Sequence, residues 1–198
     1  MMTFKRIINL PIRLVNYLIN KRKYGYIGWK TSIEKPLRID CKKNIYIENG
    51  VNIASYCWLA AKAKTSVNGT ARLIIKEGSA IGDYAHIYAT KEICIEKNVL
   101  IANFVYISDN LHGYDDVNIP IIRQPIAQKN PVHIGEGSWI GEHVSIIGAN
   151  VGKHCVIGAN SVVTHDIPDY SIAVGVPAKV IKQYDFKTQK WTKIENKK

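Results

Sequence analysis

The cysteines come without pairs. Cys41, Cys57, Cys94 and Cys155 are scattered, and no two of them form a C-x-x-C. That spacing argues against a metal knuckle or a dithiol redox motif. Scattered thiols of this kind fit a reducing compartment, so the expectation is a cytoplasmic protein. Acidic residues are also scarce: 16 Asp and Glu stand against 27 Lys and Arg, for a net charge of +11. Such a surplus points to an anionic partner, whether nucleic acid, an acidic membrane surface or a phosphorylated small molecule. No nucleic-acid motif and no aromatic stacking platform accompanies the charge, so nucleic acid is set aside. A bilayer-spanning run is missing too. Arg13 and Pro11 interrupt the apolar stretch near the N-terminus, and no small-x-small cleavage site follows it. What is present excludes disorder: 46% of 198 residues are apolar, enough for one domain with its own core.

Within that apolar share lies a regularity of neither 3.6 nor 2.0 residues. From Val132 to Thr164, Ile134, Ile140 and Ile146 stand six apart, as do Val151, Ile157 and Val163. Gly135, Gly141, Gly152 and Gly158 each follow one of these aliphatics directly. Upstream the series continues through Ile27, Ile33, Ile39; Ile47, Ile53, Leu59; Ile75, Ile81, Ile87; and Ile95, Ile101, Ile107. The fourth residue after each is usually small or modest: Thr31, Val51, Cys57, Ala63, Ser79, Ala85, Val99, Val105, Ser138, Val144, Cys155 and Ser161. One large aliphatic and one small inward residue per six suit a short strand and a tight corner, and three such units close a triangular coil. Six stacked coils, about 4.8 Å apart, give a prism of about 29 Å in which each coil buries its neighbour's face.

Breaks in the spacing mark loops. One is expected around residues 64–72, and a long one, about 21 extra residues, over 108–131. A long loop inside a regular repeat is more often functional than accidental. Ile146 to Val151 is one residue short, which tightens that corner. The expected organisation is an N-terminal amphipathic cap over 1–26, with a helix at about 11–23, then a repeat body over 27–167. A C-terminal segment over 168–198 covers the open edges of the last coil. Its final basic residues, 187–198, are expected to be mobile. The helix either packs on the body or a neighbouring subunit, or rests on an anionic membrane through Lys5, Arg6, Arg13, Lys21, Arg22 and Lys23.

The repeat, followed by V-V-T-H-D-I-P-D-Y-S-I-A-V-G-V-P-A-K-V-I, resembles the hexapeptide-repeat acyltransferases over about residues 27–182. It is most similar to the galactoside, maltose and polysaccharide O-acetyltransferases; the loop S-D-N-L-H-G-Y-D-D-V-N-I-P-I points to that sugar-acetylating branch. The resemblance implies an all-β fold, a left-handed parallel β-helix of about six coils, although crossovers are generally right-handed. It also implies a homotrimer with active sites between subunits, acetyl-CoA as donor, a sugar or oligosaccharide acceptor, and no metal.

Moving acetyl from a thioester to a hydroxyl needs a base for the hydroxyl proton and donors for the oxyanion. Imidazole titrates near neutrality and suits the first role. Of six histidines, His112 alone lies in the long loop, where it matches the family's catalytic histidine. His86 and His133 precede inward aliphatics and read as structural or surface groups, while His143 and His154 read as exposed. Asp109, Asp115 and Asp116 share the loop; Asp109 either holds the His112 ring or is a turn residue. For CoA, the resemblance implies Ala159 and Thr164 in I-G-A-x-S-x-V-T, with His165 in place of a frequent lysine and Glu142 where galactoside enzymes have Ser. Lys179 and Lys182 replace two arginines, keeping charge but losing the planar fork. Trp139 either flanks the pantetheine arm or packs at a subunit contact. Tyr88 and Tyr114, with Tyr84 and Tyr106, either stack on a sugar or pack at interfaces.

Two rival readings remain. One is a zinc enzyme resembling the γ-type carbonic anhydrases, which needs three histidines converging between subunits; the repeat count puts His143, His154 and His165 on three different faces, while the spacing of His86, His112 and His133 allows it but their flanking motifs fit poorly. The other is a non-catalytic solenoid that binds a polyanion.

Overall fold

The computed structural model describes residues 14–15, 17–62 and 69–194. Short strands alternate with turns and line up as three ladders, the walls of a triangular prism. The first sheet stacks Tyr26–Ile27, Ile45–Ile47, Arg72–Ile75, Glu92–Ile95 and Val132–Ile134 in parallel. The second runs in parallel from Ser32–Ile33 through Asn52–Ile53, Ala80–Ile81, Leu100–Ile101, Trp139–Ile140 and Val156–Ile157 to Ser171–Val174. The third holds Arg38–Asp40, Trp58–Ala61, His86–Ala89, Tyr106–Ser108, Ser145–Ile147 and Val162–Val163, also parallel. Wherever strands pair in the body, the six-spaced aliphatics are register partners, such as Ile47 with Ile75 and Ile75 with Ile95. Where the first sheet's strands end, single bridges continue that row from Ile134 to Val151 and Ile167.

The core follows directly. Sixteen of the eighteen six-spaced aliphatics are buried, and Ile33 and Ile39 are half-buried because no further coil among the described residues covers the outer side of the first one. Eleven of the small inward residues are buried as well; Ala63 lies outside the described residues. The polar ones are tolerated because each hydroxyl finds a backbone partner on the adjacent coil, a carbonyl for Thr31, Ser79 and Ser138 and the Gly175 N–H for Ser161. Ser79 Oγ donates to the Glu96 carbonyl and Ser138 Oγ to that of Gly152, each at 2.7 Å. Coils meet so closely at some corners that a side chain is excluded. A Cβ on Gly135 would lie 2.4 Å from the Gly152 carbonyl carbon and the Lys153 nitrogen.

Other corners carry large residues in the left-handed region. Tyr56, Tyr84, Phe104 and His143 have φ of 60°, 58°, 57° and 56°. Their rings stack one coil upon the next, with centroids 5.0, 4.9 and 4.8 Å apart. The coil repeat matches the stacking distance, so ring contact offsets the strain of positive φ. His143 and His154 are exposed, as their positions suggested, but as rungs of such ladders.

Of the helix expected over 11–23, residues 14, 15 and 17–20 are helical and 21–23 are a turn; 11–13 and 16 lie outside the described residues. Of the loop expected over 64–72, residues 64–68 lie outside them, and Arg72 already begins a strand. The tail is a correction. Lys190–Lys193 is a strand, paired antiparallel with Lys179–Asp185, which pairs with Ser171–Val174 and extends the second sheet. Its lock is aromatic: Tyr184 meets Trp191 at 5.4 Å and Phe186 at 5.1 Å, and Phe186 reaches Tyr170 at 4.7 Å. Residues 195–198 lie outside the described residues. The Ala178 N–H donates to the Val162 carbonyl at 2.8 Å, closing part of the third sheet's edge.

Candidate active site

The long loop is a hairpin mounted on the third sheet. Asn110–His112 pairs antiparallel with Ile126–Gln128, with His112 opposite Ile126. Gly113 is required at the next position, since a Cβ there would meet the Pro125 carbonyl oxygen at 2.4 Å. The hairpin's base is a buried polar knot. Ser108 and Asp109 are fully buried and Asn110 nearly so. Asp109 Oδ1 accepts the Thr90 N–H at 2.7 Å and the Thr90 hydroxyl at 2.9 Å, while Oδ2 accepts the Lys91 N–H at 2.6 Å. Asn110 Nδ2 donates to Asp109 Oδ1 at 3.2 Å and to Ser108 Oγ at 2.9 Å. The Lys129 N–H donates to the Asp109 carbonyl at 2.7 Å, so entry and exit strands are pinned at the same residue.

From this base the chain turns outward. His112 is exposed and makes no hydrogen bond among the described residues. The loop tip is stapled by Gln124, whose Nε2 donates to the Asp116 and Ile119 carbonyls, each at 2.8 Å. Beyond the staple the loop presents apolar side chains to solvent, Val117 at 93% and Ile122 at 87% exposure, beside exposed Tyr114, Ile119 and Ile121.

The structure corrects the first role weighed for Asp109. Its carboxylate is fully buried and accepts hydrogen bonds from Thr90, Lys91 and Asn110, whereas the His112 ring is solvent-exposed. Asp109 anchors the mount. Asp115 and Asp116 are exposed in the loop.

The residues carried over for CoA gather on the later coils and the cap. Trp139 stands on the second sheet between Leu100 and Val156, half exposed. Glu142 lies at the following corner and accepts from Asn103 Nδ2 at 3.1 Å. Ala159 is exposed one coil later, and the Asn160 beside it donates its N–H to the Glu142 carbonyl at 2.8 Å. Thr164 Oγ1 lies 3.0 Å from His165 Nδ1, both residues exposed at the end of the third sheet. Lys179 and Lys182 sit on the added antiparallel strand, opposite Val174 and Ile172.

The tyrosines divide. Tyr114 is exposed on the hairpin loop. Tyr88 is half-buried, edge-on to Trp58 at 5.9 Å and His86 at 6.1 Å, with Lys62 Nζ 5.5 Å from its ring centroid. Tyr84 is held between Tyr56 and Phe104 in the corner ladder, so both its faces are taken.

Sequence reading missed the aromatic face on the third sheet. Arg38, Trp58, His86 and Tyr106 are register partners on its outer side. Trp58 stacks on His86 at 4.2 Å and 7°, with the Arg38 guanidinium 5.1 Å from the indole. The signal was available: each of the four directly precedes an inward aliphatic of the third unit in its coil. Burial pushes the His86 imidazole below its ordinary value of 6.5, and Nε2 is buried without a partner among the described residues. Neither histidine triplet of the zinc reading comes together within the chain among the described residues.

Comparisons with known proteins agree with this architecture. Residues 131–165 match the family model described as the hexapeptide repeat of succinyl-transferase. WbbJ of Escherichia coli K12, named for O-acetyl transfer in lipopolysaccharide biosynthesis, is 35% identical over 133 residues, covering 63% of this chain and 67% of that protein. A Mycobacterium tuberculosis protein named as an acetyltransferase is 50% identical over 92 residues, 46% of this chain but 30% of the longer relative. Among solved structures, AntD of Bacillus cereus, an N-acyltransferase seen with dTDP and 3-hydroxybutyryl-CoA, superposes with TM-score 0.71 at 22% identity, covering 87% of this chain and 90% of that one. A maltose O-acetyltransferase of Clostridium difficile superposes with TM-score 0.52 at 26% identity, over 84% and 73%. The chain belongs to the hexapeptide-repeat acyltransferases.

Proposed function

We propose that the protein transfers acetyl from acetyl-CoA to a sugar hydroxyl in the making of a bacterial surface polysaccharide, on a left-handed β-helix of about six coils. The observation that carries this reading is an exposed imidazole, His112, on a hairpin whose base is fully buried and hydrogen-bonded. A catalytic base needs that combination: freedom to meet a substrate and a mount that does not drift.

In the proposed step His112 takes the proton of the acceptor hydroxyl as its oxygen attacks the thioester carbonyl. The tetrahedral intermediate collapses, the carbon–sulfur bond breaks, and the imidazolium returns the proton to the departing thiolate. Acetyl ends on the sugar, and free CoA leaves. Trp139, Glu142, Ala159, Thr164 and His165 are assigned to the CoA path along the later coils. Lys179 and Lys182 are assigned to its phosphates, a reading that a net charge of +11 supports. Tyr114, and the exposed edge of Tyr88, are assigned to the acceptor.

A homotrimer with its sites between subunits is part of the reading. Val117 and Ile122, exposed at the loop tip, are suited to cover a neighbouring subunit rather than face water. No helix among the described residues is long and apolar enough to cross a membrane. The N-terminal segment is assigned to packing within the assembly, with peripheral membrane contact as its alternative; co-sedimentation of the full chain against one starting at Tyr24 separates them.

The test is a screen of nucleotide- and lipid-linked sugars with acetyl-CoA and a free-thiol readout, the products analysed for ester or amide. An ester product supports the proposal. Turnover of amino sugars alone, giving an amide, moves the reaction to N-acylation, which the same base would serve. Tight polyanion binding with no thiol release would leave a non-catalytic solenoid.

A further inference from the structure

The outer face of the first sheet carries a second cluster of reactive side chains, on a different wall of the prism from the hairpin. Cys94 and His133 are register partners on the neighbouring strands Glu92–Ile95 and Val132–Ile134. Glu96 follows the first of these strands. Its Oε1 lies 3.7 Å from Cys94 Sγ and 2.9 Å from His133 Nε2. One ligand atom from each of the three residues falls within 4.8 Å of the others, and no other such trio occurs among the described residues.

We propose that Cys94, Glu96 and His133 form a zinc-class metal site with an open fourth position. A tetrahedral ion with one sulfur, one nitrogen and one oxygen ligand spaces sulfur and oxygen about 3.5 Å apart, and nitrogen and oxygen about 3.3 Å apart. The sulfur–oxygen and nitrogen–oxygen separations need only a few tenths of an ångström of adjustment, sulfur and nitrogen lie within 4.8 Å of each other, and the backbone beneath is held by the parallel ladder. A mixed thiolate, imidazole and carboxylate set suits Zn²⁺ better than the oxygen-seeking Mg²⁺ or Ca²⁺. Cys94 is at the edge of burial while the His133 side chain is half exposed, so the cluster is open to solvent on one side.

Lys76 is the competitor. Its Nζ pairs with the same Glu96 Oε1 at 2.6 Å. Oε2 of Glu96 carries no hydrogen bond among the described residues, and the lysine stem is long enough to move there when an ion takes Oε1. The site also has a structural consequence. Cys94 and Glu96 belong to the coil before the 108–131 hairpin, and His133 to the coil after it. A bound ion would clamp the two coils that flank the His112 mount. The inference stands independently of the proposed acyl transfer.

The test uses the full, untagged chain stripped with a chelator, then titrated with Co²⁺ followed optically and with Zn²⁺ followed by calorimetry. One ion per chain, a thiolate-to-cobalt charge-transfer band, and a melting temperature that rises with Zn²⁺ and falls back with chelator are expected. Cys94→Ser should remove the band. His133→Ala, at an exposed position that leaves folding intact, should weaken Zn²⁺ binding by at least about tenfold, since even supporting groups around metal ligands are worth that much. Cys41→Ser and His112→Ala should leave both readouts unchanged. Cobalt bound without a thiolate band, or zinc affinity unchanged in His133→Ala, would overturn the site.

Discussion

Asp109 reaches back one coil to Thr90 and takes both of its donors: Oδ1 accepts the backbone N–H at 2.7 Å and the hydroxyl at 2.9 Å. The contact ties the hairpin that carries His112 to the corner of the coil beneath it. Replacing Asp109 by Ala would leave the buried Thr90 N–H and the part-buried Lys91 N–H without their acceptor and cost about 2–4 kcal/mol of stability, read by denaturant unfolding. Asp109→Asn should also destabilise, because its amide NH₂ would face an N–H. If Asp109 oriented the imidazole directly, Asp109→Asn would shift the pH–rate profile and leave the melt alone.

His112→Ala should lower kcat by at least ~10²-fold. The ring is exposed and makes no hydrogen bond among the described residues, so the melting temperature and assembly state should not change. Near-full activity in the variant would remove His112 from the mechanism.

His86 predicts a pH dependence of stability. Burial holds the folded imidazole below the ordinary 6.5. Below that pH the unfolded chain takes up a proton that the folded ring resists. This contribution is therefore complete above about 6.5, falls as the pH drops below it, and levels off once the folded ring protonates as well. His86→Phe keeps a ring against Trp58 and should flatten the fall. Unfolding of both proteins at pH 7.5 and 5.5 checks it; equal pH slopes would show that His86 is not responsible.

The thiols should separate in alkylation. Burial pushes Cys57 and Cys94 up to about 11 and raises Cys155, while Cys41 alone of the four is exposed. Thiolate is the reactive form, so one fast-labelling cysteine per chain is expected under native conditions, with the other three appearing on unfolding. Peptide mapping should place the fast label at Cys41.

Much of the body was legible because inward positions recur at a fixed spacing, and a stacked coil forces that spacing on the chain. The burial of Ile47, Ile75 and Ile95 in one row needed no coordinates beyond the count of six. The hairpin's position was legible from an interruption in the same count. The role of Asp109 was not. Whether a loop carboxylate turns toward an imidazole or into a buried corner depends on which donors the coil below presents, and Thr90 and Lys91 are nineteen and eighteen residues away in the chain. The basic tail misled for a similar reason. Lys187, Lys190 and Lys193 read as solvated, yet Lys190–Lys193 pairs with Lys179–Asp185, and Tyr184 and Trp191 close on each other across that pair.

The amino-acid sequence alone determined the coil, its period, its core and the place where the period breaks, since these follow from which side chains must leave water at regular intervals. Only the tertiary structure decided which polar groups meet across coils: Asp109 with Thr90, Cys94 beside His133, Trp58 upon His86. Such partners lie a coil or more apart along the chain, and register, rather than residue type, selects them.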